Sequence, residues 1–521
     1  MSELSQHSPA EALESAARPA TSREIAVLGT AILITSVCAI VYELLVSTLS
    51  SYLLGSSVLH FSLTIGLFMT FMGVGAFWSK FIDTRLLDWF IFIEQLVGLI
   101  GGCAAFLLYL SFSLTEYYYL VAFLLIAAIS TCVGLEIPLV TRELRKHREL
   151  KDALANILAI DYLGALIASI LFPIVLVPYL GLMRTAFLMG MLNVGTAIAT
   201  AVVFRTRLTF FRFHLTLGLS FLVVLGSGFL YSFHLIGFYE QNLYQDEIIH
   251  SEQSSYQRII LTRFDDDIRL YLNGSLQFST IDEYRYHETL THIPLGVVPN
   301  RENILILGGG DGLAAREALK YPDVQSITLV DIDERMTTLA AEHPILRKLN
   351  AESLSAARVK VINQDAWEFL ATDPSLYSAI IIDLPDPDDF AVGKLYTQEF
   401  YRLAKRRLAA DGVLITQASS PFFAREPFWC IHHTLEAVFS HVQPLTLYVP
   451  SFGPWGFHLA SGRKFDVSDV KLVVPTRFLN AVTLESVFTV APDEGEVSTE
   501  LNRLDNQHLV TLYEQSLDDW N

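Results

Sequence analysis

The chain has 521 residues, 52% of them hydrophobic, and its 36 Lys and Arg against 55 Asp and Glu give a formal net charge of −19. That length exceeds one ordinary domain and predicts about two to four. Residues 1–236 hold 13 basic and 14 acidic side chains, whereas residues 237–521 hold 23 and 41, so the negative charge belongs to the second part. This charge argues against nucleic acid, which is bound by basic surfaces, and is compatible with a polycationic ligand.

The first part of the sequence has the composition of an integral membrane protein. Residues 1–24 are polar and are predicted to be disordered. Apolar stretches follow that approach or exceed the ~20 residues needed to cross a bilayer, and the first is too long for a signal-peptide core. Seven are predicted, at 25–54, 58–78, 86–112, 117–141, 157–180, 184–204 and 213–236. We therefore predict a helical transmembrane domain over 25–236, with a lipid bilayer as its partner and the cell (inner) membrane as its location.

The distribution of basic residues predicts the orientation of these spans. Basic side chains follow the second span (Lys80, Arg85), the fourth (Arg142, Arg145, Lys146, Arg148, Lys151) and the sixth (Arg205, Arg207, Arg212). The positive-inside rule places these loops and the N-terminus in the cytoplasm, and seven spans then leave the second part outside. A nucleoside-dependent enzyme needs a cytoplasmic cosubstrate, so we expect a cytoplasmic catalytic domain, in conflict with that count.

Four acidic residues lie within or near the ends of the spans: Glu43, Glu94, Glu136 and Asp161. Ionisable groups are costly there and often mark a pathway, although interfacial placement or pairing inside the bundle are alternatives. Three of the four cysteines also lie in these spans, and no pair has the spacing of a disulfide or a metal site.

Residues 237–298 are predicted to form a small β-rich module. The segments 257–262 and 268–272 alternate at strand period, Asn273-Gly274 is a strong hairpin turn, and 276–280 supplies the returning strand. A helix carrying Tyr286, His287 and His292 is predicted to follow. The two histidines are one residue off the spacing of a helical zinc site, so no metal is predicted.

A strand, a glycine turn and a helix are predicted over residues 303–320. The apolar run 303–307 fits a buried strand, and Gly308 and Gly310 let the backbone turn sharply and approach a ligand closely. This is the first unit of a Rossmann-like sheet, which binds nucleosides at the carboxyl ends of its strands. Asp311 places an anion inside the turn, which disfavours a diphosphate and favours a cationic ligand.

Further acidic residues follow the predicted strands of this sheet. Asp331 ends the second strand about twenty residues after the turn, where a carboxylate holds ribose hydroxyls. Asp365 ends the third and can accept from an adenine amino group, while Asp383 and Asp386 end the fourth. One such acid is more often a helix cap, but several in order favour a nucleoside site. With a fifth strand at 412–417, we predict an α/β Rossmann-like, methyltransferase-type domain over 299–465, and a C-terminal extension over 466–521 with no assigned role.

These motifs resemble those of spermidine synthases, the polyamine aminopropyltransferases. The similar segments are 272–288, 308–312, 330–333 and 383–387, within a resemblance over roughly 245–465, and the apolar first part is similar to the family's long bacterial, membrane-embedded branch. The resemblance implies transfer of an aminopropyl group from decarboxylated S-adenosylmethionine to putrescine, giving spermidine and methylthioadenosine. It also implies no metal, no permanently bound cofactor, and a homo-oligomer (dimer or tetramer).

The same resemblance implies roles for individual residues. Asp383 is the base that deprotonates the attacking amine. The polyamine is held by Tyr286, His287, Asp311 and Asp386. The donor nucleoside is held by Gln257, Gly308, Gly310, Asp331, Asp365 and Ala366. The sequence departs from the family pattern at Asp331 (usually Glu), Ala366 (usually Gly), Leu384-Pro385 (usually Ser-Ser) and Phe452 (often Tyr), which leaves the acceptor amine open.

Two other functions remain open at this point. An S-adenosylmethionine-dependent methyltransferase shares the sheet and the ribose acid, although Asp311 and Asp386 argue against it. A membrane polyamine sensor or transporter would use the second part for binding only, and the helical part would be more than an anchor.

Overall fold

The computed structural model describes residues 21–54, 57–114, 117–144, 150–244 and 246–518. The chain divides into two compact units, Met1–Gln245 and Asp246–Asn521. Of the segment predicted to be disordered, 1–24, residues 1–20 lie outside the described residues, and the first helix already begins at Ser22.

The described part of the first unit consists of long helices, labelled α1 to α7: Ser22–Leu54, Ser57–Trp78, Leu86–Leu114, Tyr118–Leu144, Leu150–Leu171, Val177–Val203 and Phe211–Leu243. Short helical turns at Ser79–Phe81 and Phe172–Leu176 extend α2 and join α5 to α6. Helices α2 and α4 pack closely through glycines, because a Cβ atom on Gly75 would lie 2.0 Å from the Thr131 carbonyl oxygen. Small residues permit such close approach between apolar helices.

Six helical stretches among the described residues are long and apolar enough to cross a membrane, rather than the seven predicted. The predicted spans 157–180 and 184–204 fall in one stretch, Leu154–Val203, because no polar loop separates them. Gly181 nevertheless leaves helical geometry, with φ 71° and ψ 173°. The Thr185 hydroxyl donates to the Leu176 carbonyl oxygen at 3.2 Å, whereas residues nine apart in a straight helix are separated by about 13.5 Å. The stretch is therefore bent at Gly181.

The second unit begins with a four-stranded antiparallel sheet in the order β1-β2-β3-β4. Its strands are Glu247–Gln253, Arg258–Phe264, Asp267–Leu272 and Ser275–Ser279. The predicted hairpin is confirmed: Leu272 pairs with Ser275 across Asn273 and Gly274, whose φ angles are 51° and 86°. Positive φ at both positions matches the twist of a two-residue hairpin.

The remainder of the second unit is built on a seven-stranded sheet, which confirms the predicted α/β class. Its strands β5 to β11 are Asn303–Gly308, Ser326–Asp331, Val359–Asn363, Tyr377–Asp383, Leu408–Gln417, His441–Val449 and Gly453–Ser461. The spatial order is β10-β11-β9-β8-β5-β6-β7, in which β5 to β9 are parallel and β10 and β11 are antiparallel additions. The helices α8 to α17 are Glu283–Val297, Leu313–Leu319, Glu334–Glu342, Pro344–Leu349, Ala366–Thr372, Phe390–Gly393, Gln398–Arg406, Arg425–Glu436, Ala481–Val487 and His508–Asp518.

The register of the parallel strands brings the predicted acids to one edge of the sheet. Gly308 on β5 pairs with Asp383 on β8, and Asp331 on β6 pairs with Asn363 on β7. The carboxyl ends of β5, β6 and β8 therefore meet where the glycine turn begins.

Candidate active site

The glycine turn lies directly against the two strand-end acids. Gly308 has φ 83°, and a Cβ atom there would lie 2.0 Å from the Asp383 carbonyl oxygen. A Cβ atom on Gly310 would lie 2.6 Å from Oδ2 of Asp331, and its amide donates to that oxygen at 3.0 Å. Larger side chains at either position would push the turn away from the acids, so the glycines fix the spacing of the site.

Asp331 is held by backbone donors on both carboxylate oxygens. Besides the Gly310 amide on Oδ2, the Asp333 amide donates to Oδ1 at 2.8 Å. Burial raises the pKa of Asp331 to about 6, against the opposing effect of these two amides. Asp331 is half-buried at the end of its strand.

Gln257 does not contact Asp331. Its side-chain amide donates to Oδ2 of Asp333 at 2.9 Å, and the Ser254 hydroxyl donates to the same oxygen at 2.7 Å. Asp333 is 1% exposed and also caps α10 by accepting from the Arg335 amide. Sequence analysis missed Ser254 and Asp333, although an Asp two residues after a strand is a recognisable helix cap. Asp333 therefore links the first sheet of this unit to the second.

Asp365 caps a helix and pairs with a lysine. Its Oδ1 accepts from the Trp367 and Glu368 amides at 2.7 and 3.3 Å, and its Oδ2 accepts from Lys394 at 2.7 Å. Burial favours a higher pKa for Asp365, but the hydrogen bond and charge of Lys394 prevail and lower it. Ala366 begins α12 and is buried. Lys394 lies outside every motif singled out in the sequence and was missed.

Asp383 is paired with Tyr286, as the sequence predictions placed both in one site. The Tyr286 hydroxyl donates to Oδ1 of Asp383 at 2.7 Å. Burial, reinforced by the charge of Asp311, raises the pKa of Asp383 to about 6. The Tyr286 ring is fixed between Phe452 and Phe457, at centroid distances of 6.3 and 5.0 Å. The result is an oriented carboxylate whose basicity is above that of an ordinary Asp.

His287 is a fixed cation beside these acids. Its Nδ1 lies 2.9 Å from Oε2 of Glu283, which also accepts from Arg316 at 2.9 Å. Burial favours a lower pKa for His287, but Glu283, with smaller contributions from Asp311 and Asp383, raises it to about 9. A protonated imidazole has no free acceptor, so His287 stabilises the neighbouring carboxylates rather than accepting from an ammonium group. Glu283 and Arg316 were missed.

Asp311 lies inside the turn, with its side chain directed by local backbone. Its Oδ1 accepts from the Leu313 amide at 2.8 Å, and its carbonyl oxygen accepts from the Asn350 side chain at 2.9 Å. Burial raises the pKa of Asp311, opposed by the charge of His287.

Asp386 is held by a residue from the C-terminal extension. The Tyr513 hydroxyl on α17 donates to Oδ2 at 2.8 Å, and the Gln417 side chain donates to Oδ1 at 3.3 Å. Gln417 also donates to the Tyr396 hydroxyl, which donates to the Pro385 carbonyl oxygen at 2.9 Å. Burial raises the pKa of Asp386. None of these three partners was predicted, and Tyr513 lies 127 residues from Asp386 in the sequence, so no local pattern could have revealed it.

Together these groups form an acidic pocket at the carboxyl edge of the sheet, in which Asp311 lies within electrostatic range of Asp383, and Asp383 and Asp386 both lie within range of Tyr286. Such a pocket can hold a polycation and take a proton from it. Among the described residues there is no group of three His, Cys, Asp or Glu side chains arranged to hold a metal ion.

Comparison with known proteins gives matches over both the pocket and the whole chain. Residues 283–471 match the family model of the spermine/spermidine synthase domain. The chain is 46% identical to a polyamine aminopropyltransferase of Leptospira interrogans, over 94% of this chain and 98% of that protein. It is 43% identical to polyamine aminopropyltransferase 1 of Ralstonia nicotianae, over 98% of each.

Solved structures give shorter matches. A crystal structure of a spermidine synthase in complex with the transition-state analogue AdoDATO covers 47% of this chain and 86% of its own, at 26% identity and a TM-score of 0.45. The spermidine synthase of Thermotoga maritima covers 47% and 85%, at 26% identity and a TM-score of 0.44.

Proposed function

Since the chain belongs to the polyamine aminopropyltransferases and catalyses aminopropyl transfer in polyamine biosynthesis, we propose that its donor is decarboxylated S-adenosylmethionine and its acceptor putrescine. The products are then spermidine and methylthioadenosine. The single observation that carries this assignment is Asp383, an oriented carboxylate with a raised pKa within electrostatic range of Asp311 in the glycine turn. The relatives reported above are named aminopropyltransferases, which favours this chemistry over the methyltransferase alternative.

Asp383 is the proposed base. The acceptor amine is protonated at neutral pH and has no lone pair until a proton leaves, so a carboxylate must take that proton as the nucleophile forms. The nitrogen then attacks the methylene carbon next to the sulfonium, the carbon–sulfur bond breaks, and its electron pair neutralises the sulfur. Tyr286 orients Asp383 through its hydroxyl, and the charge of His287 opposes the rise that burial causes in the pKa of neighbouring Asp311.

The acceptor and the donor tail lie along the acidic pocket in this proposal. Asp386, fixed by Tyr513 and Gln417, holds the ammonium group distant from the reaction. Asp311 holds the ammonium of the donor's aminopropyl arm and aligns it for in-line displacement. Intact S-adenosylmethionine carries a carboxylate at that position, which Asp311 would repel.

The nucleoside of the donor lies over the glycine turn in this proposal. Gly308 and Gly310 leave room for it, Asp331 accepts from the ribose hydroxyls, and the Asp365–Ala366 turn borders the adenine. Gln257 reaches the donor from the four-stranded sheet, held in place by Asp333. No metal is needed, because a sulfonium is already a good leaving group.

The test of this function is methylthioadenosine release by the purified full chain. Decarboxylated S-adenosylmethionine is offered with putrescine and with a panel of other diamines. Release with putrescine and formation of spermidine support the proposal, whereas no release with any acceptor overturns it. Methylthioadenosine release only with another diamine would support aminopropyl transfer but would make that diamine, not putrescine, the acceptor.

The location at a membrane is part of the same proposal. We propose that the apolar helical stretches cross the cell membrane and that the catalytic unit faces the cytoplasm, where charged substrates are available, in a homo-oligomer. Six stretches that each cross once put both ends of the chain on one side; a double crossing at Gly181 would put them on opposite sides. Labelling of Ala357→Cys, an exposed position, by a membrane-impermeant maleimide in intact cells would contradict the cytoplasmic placement.

A further inference from the structure

A second group of carboxyl side chains lies inside the helical unit, which contains none of the site residues assigned above. Glu136 on α4 and Asp161 on α5 line a cavity of about 20 Å³ together with Ser36 on α1. That volume is enough for one water molecule. Glu94 on α3 lies within electrostatic range of Glu136, as does Asp161. Two helices thus direct carboxyl groups into one small cavity, and a third helix carries Glu94 within electrostatic range of Glu136.

The two inner carboxyl groups are buried and incompletely bonded. Glu94 is 0% exposed; its Oε1 accepts from the Thr35 hydroxyl at 2.5 Å, and its Oε2 has no partner. Glu136 is 6% exposed, and its Oε1 has no partner. Within the described part of the chain, no Lys or Arg bonds Glu94, Glu136 or Asp161. An unpaired carboxylate in an apolar interior is strongly disfavoured, so a positive charge must neutralise these groups.

The geometry identifies that charge as a proton. No three His, Cys, Asp or Glu side chains among the described residues are close enough to share a metal ion, and the cavity has room for one water molecule but not for an extended amine. Exposure is graded along the group, from the partly exposed Asp161 to the buried Glu136 and the fully buried Glu94.

The surroundings of the cavity add only weakly acidic groups. Cys38 and Tyr42 on α1 face Glu94 and Glu136, Cys132 on α4 lies near Glu136, and Cys103 on α3 lies near Tyr42. Met72 and Phe90 complete the lining from α2 and α3. None of these groups brings a positive charge, so the carboxyl groups are the ones that exchange protons.

We propose that Glu94, Glu136 and Asp161 form a proton-exchange site in the helical unit, with Asp161 as its outermost group. When Glu94 is ionised, Glu136 gives it a proton; the ionised Glu136 then receives one from Asp161 through a water molecule in the cavity, which gives up one proton as it accepts another, and Asp161 stays ionised until it takes up a new proton. Each step breaks one O–H bond and forms another, and no other reactant is required. The site is independent of aminopropyl transfer and gives the helical unit a titratable function beyond anchoring.

Infrared spectroscopy of the full chain in detergent tests the proposal, because protonated carboxyl groups have a C=O stretching band that shifts in D2O. We expect such a band at neutral pH, shifting on transfer to D2O without unfolding. Glu136→Gln should reduce it by the contribution of one carboxyl, and Glu136→Asp should restore it. Asp161→Asn should slow the exchange at least tenfold.

Glu24→Gln is the matched control, since Glu24 is paired with Arg207 at 3.1 Å and does not line the cavity. Unchanged helix content by circular dichroism shows that each variant is folded. The proposal is overturned if the wild type has no D2O-sensitive carboxyl band, or if Glu94→Gln and Glu136→Gln both keep a band of wild-type size. Methylthioadenosine release should be the same in all these variants, so failure here is distinguishable from failure of the proposed enzyme function.

Discussion

Each unit of this chain gathers acidic side chains away from bulk solvent, but the two groups are stabilised in different ways. In the second unit, Asp331, Asp311, Asp383 and Asp386 all accept hydrogen bonds from amides or hydroxyls, and the His287 cation lies among them. In the first unit, Glu94 has one hydroxyl donor, and Glu94 and Glu136 each keep an unpartnered oxygen.

This difference determines which ligands each group of acidic side chains can bind. Carboxylates that already accept hydrogen bonds are stabilised in their charged form, and they can bind a cationic substrate in a fixed geometry. Carboxyl groups without donors or cations are stable only when a proton neutralises them. The variants below test this difference, beginning with the one for which we expect the largest effect.

Removing the base should have the largest effect. Asp383→Asn keeps the shape of the side chain but cannot take a proton, so kcat should fall by roughly 10²–10⁴-fold, the usual contribution of general base catalysis. The measurement is steady-state methylthioadenosine release at saturating donor and acceptor. Asp411→Asn, an exposed acid on β9, serves as the control and should retain wild-type kcat. A variant of Asp383 with wild-type kcat would remove Asp383 from the mechanism.

Neutralising the acid in the glycine turn should change the choice of donor. Asp311→Asn removes the repulsion toward the carboxylate of intact S-adenosylmethionine and the attraction for the ammonium of the decarboxylated form. The preference between the two donors, taken as the ratio of their kcat/KM values, should fall on the order of tenfold to a hundredfold. Asp265→Asn, at an exposed turn, should leave the ratio unchanged. An unchanged ratio in Asp311→Asn would show that selection depends on other groups.

Loss of the Tyr513 hydroxyl should weaken binding of the acceptor more than it slows the chemical step. Tyr513→Phe removes a hydrogen bond to the charged Asp386, a bond of a type that contributes about 1.5–3 kcal/mol. We expect KM for the acceptor to rise about tenfold, with a much smaller change in kcat and in KM for the donor. Tyr448→Phe, an exposed tyrosine, is the control. A fall in kcat at unchanged acceptor KM would contradict this positioning role.

Tyr513 also shows where sequence reasoning reaches its limit. The glycine turn, Asp331 and Asp383 were predictable, because strand-end positions of a parallel sheet converge by register alone. Tyr513, Gln417 and Lys394 reach the site through tertiary packing, which leaves no periodic or motif signal. In the helical unit, apolar composition predicted seven helices, and the predicted spans 157–180 and 184–204 fall in a single apolar stretch that bends at Gly181.

The pH dependence of the reaction should show the smallest but most specific effect. Asp383, with its pKa raised to about 6, must be ionised to act as base, so kcat/KM should fall as the pH drops through about 6. His287 loses its charge as the pH rises through about 9, which sets a second limit on the alkaline side. The Tyr286 hydroxyl favours the ionised form of Asp383, so Tyr286→Phe should move the acidic limb to higher pH by about half a unit to one unit. This shift is measured from pre-steady-state rates between pH 5 and pH 10, roughly the range in which Asp383 and His287 titrate. Tyr284→Phe, on the same helix, is the control and should leave the acidic limb of the pH profile unchanged. If Tyr286→Phe moved the acidic limb to lower pH, this hydrogen bond would not stabilise the charged form of Asp383.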